Sequence, residues 1–69
     1  MTTLTDAANK AADNLAAFPG AARPTLRQAD LQSLLLHMNG WMTVAGRNLD
    51  IKSEHVGAGI YKVWLEERP

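Results

Sequence analysis

Sixty-nine residues read as one small domain, 1–69, with a thin stability margin, because a chain this short buries only about 60% of the surface that its unfolded form exposes. A deep, walled catalytic cleft is not expected at this size, and the lack of cysteine removes disulfide staples, thiolate metal ligands and cysteine nucleophiles together. Seven Lys and Arg balance seven Asp and Glu, evenly along the chain, so there is no basic arm of the kind that releases counterions from nucleic-acid phosphates.

The longest wholly aliphatic run, Leu34 to Leu36, falls far short of the roughly 20 residues that span a bilayer. The start of the chain also lacks a basic-then-apolar signal segment. These features point to a soluble, cytoplasmic protein.

The first predicted element is a helix over about 5–18, with Thr3 or Thr5 as N-cap and Asp6 beside the positive end of the helix dipole. Leu4, Ala8, Ala11, Leu15 and Phe18 recur at helical spacing as one narrow apolar stripe. Two of its five positions, Ala8 and Ala11, are alanine, which permits close approach but buries little area, so the helix needs docking onto its own chain or onto a second copy. Residues 19–24 (PGAARP) form a linker, since proline ends a helix and restricts the residue before it. A second helix is predicted over about 25–38: Thr25 and Gln28 have capping-box spacing, Leu31, Leu34, Leu35 and Met38 form the core face, and Asn39 and Gly40 supply the stop.

After Gly40 the pattern changes to alternation. A two-residue turn at Gly46 and Arg47, with glycine first, predicts a hairpin over about 41–52 that pairs Val44 with Leu49 and Met42 with Ile51. One face then carries Met42, Val44, Leu49 and Ile51, and the other Trp41, Thr43, Ala45, Asn48, Asp50 and Lys52. A strand over about 60–66 would turn Tyr61, Val63 and Leu65 toward the helices and Ile60, Lys62 and Trp64 outward, with Gly57, Ala58 and Gly59 as a flexible approach. The predicted fold class is α+β, two N-terminal helices on a three-stranded antiparallel sheet.

A rival all-α reading exists. Ala45, Gly46, Leu49, Ile51 and Val56 fall at spacings that resemble a helix-turn-helix over about 25 residues, with Ser53 capping a recognition helix from Glu54 to Glu67. The resemblance implies a dimeric transcriptional regulator that meets DNA through Lys52, Glu54, His55, Ala58 and Lys62. Asp50 stands where that motif usually has glycine, and Gly59 where it has an apolar core residue. Gly46, Gly57 and Gly59 would each cost a helix roughly 0.8 to 1 kcal/mol relative to alanine, whereas the sheet puts all three at punctuation.

Little in the chain suggests chemistry. His37 belongs to the surface near the negative end of the second helix, and Ser53, Glu54 and His55 are neighbours in sequence, which is not how a triad is built. Neither a metal-ligand spacing nor a phosphate-binding loop occurs, and no cofactor is expected. The leading expectation is a non-enzymatic protein–protein interaction module, an adaptor or inhibitor of bacterial or phage type. It would bind another protein through an outer sheet face holding Trp41, Thr43, Arg47, Lys62 and Trp64, because Trp and Arg dominate binding hot spots. The competing structural role for Trp64 is to pack on Trp41 as cross-strand filler. That outer face, or the first helix, would also be the route to a homodimer.

Overall fold

A computed structural model describes residues 4–68 and shows α1 (Asp6–Ala17), β1 (Thr25–Arg27), α2 (Gln28–Met38), β2 (Trp41–Val44), β3 (Arg47–Gly57) and β4 (Ile60–Glu67). The strands make one antiparallel sheet in the order β1-β4-β3-β2. Both helices pack with it around one apolar core, an α+β architecture with one strand more than alternation predicts. Residues 53–67, which the helix-turn-helix reading makes a recognition helix and its cap, are strand and turn throughout.

Thr5 opens α1 and ties it to α2. Its side-chain oxygen accepts the Ala8 N–H at 3.2 Å and donates to Asp30 Oδ1 at 2.9 Å, while its own N–H donates to the Oγ of buried Ser33 at 3.2 Å. A single residue thus satisfies an orphan donor of one helix and fixes that helix against the other. Thr3, the other predicted cap, lies outside the described residues. Ala8, Ala11, Ala12 and Leu15 are buried, so the alanine stripe gives close approach and Leu15 supplies most of the bulk. Phe18 departs from the predicted stripe: the helix stops at Ala17, and Phe18 becomes the C-cap with its side chain exposed. The Phe18 carbonyl accepts the N–H groups of Ala21 and Ala22 and turns the linker back toward the sheet.

The predicted capping box at Thr25 does not form. Thr25, Leu26 and Arg27 are instead an edge strand paired with Lys62, Tyr61 and Ile60, and α2 starts at Gln28 with Arg27 as an N-cap that makes no side-chain cap bond. The physical reason lies in β4. Without β1 that strand would present an open row of backbone donors and acceptors beside Val63 and Tyr61; β1 covers this edge and buries Leu26, and the Val63 N–H donates to the Pro24 carbonyl at 2.9 Å. From Gln28 onward the helix follows its pattern. Leu31 and Leu34 are buried, Leu35 and Met38 pack beside them, and Asn39 and Gly40 close the helix at positive φ with both their N–H groups on the Leu35 carbonyl.

The first hairpin turns one residue earlier than predicted. Ala45 (φ 55°) and Gly46 (φ 78°) are the two turn residues, the type I′ geometry that matches strand twist, so Val44 pairs with Arg47 and Met42 with Leu49. Moving a hairpin turn by one residue moves every partner by two, which leaves the strand side chains on their predicted faces, apart from Ala45, which enters the turn, and Arg47, which leaves it. Met42, Leu49 and Ile51 are accordingly buried and Val44 packs at the core's margin. Gly57 to Gly59 differ from the predicted flexible approach. β3 runs on to Gly57, carries a bulge between His55 and Gly57, and returns through a tight turn at Ala58 and Gly59 directly into β4.

Candidate functional site: the outer sheet face

Strand alternation and register decide what the outer face presents. Across β4, β3 and β2, Trp64 stands opposite Lys52, Lys62 opposite Glu54, Glu66 opposite Asp50, Asp50 opposite Trp41, and Asn48 opposite Thr43. Four of the predicted binding residues, Trp41, Thr43, Lys62 and Trp64, therefore share this face. Arg47 does not. It alternates with Leu49 and Ile51, turns toward the helical side, and pairs there with Glu67 next to Leu65 and Pro19. The corrected turn at Ala45 and Gly46 is the reason, since it makes Arg47 the partner of inward-facing Val44.

The two indoles do not touch each other in the manner of cross-strand filler. Trp41 lies on β2 and Trp64 on β4, with β3 between them, and each is half-buried under an arginine instead. The Arg23 guanidinium sits 5.3 Å from the Trp64 ring centroid and that of Arg68 5.6 Å from Trp41, both within cation–π range. Arg68 Nε also reaches Asp50 Oδ1 at 3.2 Å, the Trp64 Nε1–H donates to Glu66 Oε1 at 2.9 Å, and the Thr43 hydroxyl donates to Asn48 Oδ1 at 2.9 Å. Each tryptophan thus has an arginine over its ring, and that of Trp64 is also tied to Glu66 through its indole N–H.

Arg23 and Arg68 are the functional candidates that sequence reading missed. One belongs to the linker and the other to the tail. A usable signal existed for Arg23: counting back two residues from Thr25 in the β1 register puts it beside Trp64, but only once Thr25 is known to be a strand residue. Of the residues in the helix-turn-helix reading, Lys52, Glu54 and Lys62 lie on the outer face, His55 meets Tyr61 on the opposite face with ring centroids 4.9 Å apart and the rings tilted by 33°, and Ala58 is in a turn. Ser53, Glu54 and His55 alternate between the two faces and so cannot converge on one point. His37 is exposed in the last turn of α2.

Two shallow depressions gather no reactive groups. An open groove of about 280 Å³ lies between Ala7, Lys10 and Asn14 of α1 and Pro24 to Leu26, and a smaller one adjoins the Arg47 and Glu67 pair. Among the described residues there is no cluster of metal-ligating side chains, and no helix is long and apolar enough to cross a membrane. Comparison of the chain with protein-family models, with curated proteins and with solved structures returns no match.

Proposed function

We propose that this chain is a non-enzymatic, cytoplasmic interaction module that docks another protein through the outer sheet face. The observation that supports this most is the pair of half-buried tryptophans, each with an arginine guanidinium over its ring, on the face that neither helix covers. Large aromatics and arginines carry most of the energy in protein interfaces, and side chains already held in place lose little entropy on binding. The mechanism is occlusion or bridging of the partner, with no bond made or broken. A recognition helix for the major groove has no counterpart in residues 53–67, so the DNA reading lacks the element it depends on.

The test is affinity capture and analytical ultracentrifugation with the wild type and with the Trp41→Ala/Trp64→Ala double variant, whose fold is checked by circular dichroism. Loss of a specific captured partner, or of self-association, with the spectrum unchanged is the expected result. Retention of both would defeat the proposal.

A further inference from the structure

Folding sorts a neutral chain into two charged layers. Arg23, Arg27, Lys52, Lys62 and Arg68 lie on the outer face against Asp50, Glu54 and Glu66, five cations to three carboxylates. Away from that face, the helices carry one cation, Lys10, against three carboxylates, Asp6, Asp13 and Asp30, and Arg47 is matched by Glu67. The even balance along the sequence hides this, because the cations come from the linker, β1, β3, β4 and the tail.

The excess is concentrated around Trp64. Arg23, Trp64 and Lys52 form one row across the sheet, Lys62 stands in the next row with Glu54, and Arg27 lies beyond it next to Ile60. Among the described residues neither Arg23, Arg27, Lys52 nor Lys62 is in an ion pair, and Glu66 is engaged by the Trp64 indole N–H. The Trp41 end differs, for there the arginine is already neutralised by Asp50. A guanidinium lying over an indole keeps the N–H donors along its edge, in the fork geometry that matches a carboxylate.

We infer, resting on the docking role proposed above, that the Trp64 end of the face takes an acidic segment of the partner protein. Carboxylates of that segment bridge Arg23, Arg27, Lys52 and Lys62, and an apolar side chain lies against Trp64. A single nucleic-acid strand fits less well. It carries a charge at every nucleotide, and a path that stacks bases on both indoles runs past Glu66 and the Asp50–Arg68 pair, where Lys52 is, among the described residues, the one cation without an ion pair. A polypeptide can put neutral or basic side chains at that crossing.

The experiment records amide and indole NMR shifts of the full chain at low salt with three probes: a short peptide of alternating Glu and Asp around one Leu, the same peptide with Gln and Asn, and oligothymidylate. The acidic peptide is expected to shift residues around Trp64, with affinity that falls as salt rises and that drops about tenfold in the Lys52→Glu/Lys62→Glu variant. Equal affinity for the neutral peptide at the same residues would overturn the acidic preference while leaving the docking face in place. Tighter binding of oligothymidylate, absence of any shift with the acidic peptide, or shifts that depend on protein concentration alone would each overturn the inference. Loss of the captured partner in the double tryptophan variant separately decides the docking role.

Discussion

The two faces of β3 and β4 are built from alternate residues of the same strands, yet they do different work. The inner set, Leu49, Ile51, Val63 and Leu65, is buried under the helices, while Lys52, Lys62 and Trp64 stand one residue away on a surface held by cation–π contacts and hydrogen bonds. Every buried apolar residue of the sheet lies on the inner face. The outer face holds its aromatics in place at little cost to that core, so a chain with a small margin can separate what folds it from what it presents.

The largest expected effect lies on the inner side. Leu34→Ala removes a side chain with no exposed surface at the meeting of α2 and the sheet, and should cost about 2 to 5 kcal/mol, comparable to the whole margin of about 3 to 5 kcal/mol for a domain of this size. Urea denaturation should find this variant largely unfolded at room temperature; a midpoint close to wild type would break the contrast between the faces. Thr5→Ala comes next. It deletes the N-cap and the bond to Asp30, for an expected loss of about 1 to 2 kcal/mol by the same measurement, and fraying confined to α1 in hydrogen exchange would sharpen the role of Thr5 as a pin.

A gain is expected at the first turn. Ala45 holds a left-handed conformation that L residues other than asparagine and aspartate seldom adopt, so Ala45→Asn should stabilise by up to about 1 kcal/mol, or roughly 4 to 8 °C in melting temperature by calorimetry. The smallest change belongs to the outer face. Arg23→Gln removes the contact with Trp64 and should lower stability by about 0.5 to 1 kcal/mol while shifting the tryptophan fluorescence. A loss as large as that of Leu34→Ala would mean that the outer face is structural after all.

How much of this was legible depends on which physical signal carried it. Alternation through Trp41 to Lys52 and Ile60 to Leu65 sorts the side chains onto two faces, because burial enforces a period of two. It leaves register open: moving the turn from Gly46–Arg47 to Ala45–Gly46 preserves that sorting, so nothing in the pattern warned that Arg47 would leave the outer face. β1 was illegible because Thr25 to Gln28 carries a sound local signal for a helix start, and what overrides it is the need to cover the β4 edge, a partner far along the chain. Arg23 and Arg68 followed from the same gap. Their places beside the indoles exist only through pairings between distant segments.

The pairing of β1 with β4 also has a kinetic side. β2, β3 and β4 are joined by tight turns and can pair locally, whereas Thr25 must find Lys62 across most of the chain, a closure that topology makes slow. The bond from the Val63 amide to the Pro24 carbonyl reports that pairing, and so does the place of Arg23 over Trp64. The outer face, with Arg23 over Trp64, is therefore complete only in molecules in which β1 has paired with β4. A ligand held there would draw the chain toward closure by mass action, making recognition and maturation two readings of one equilibrium.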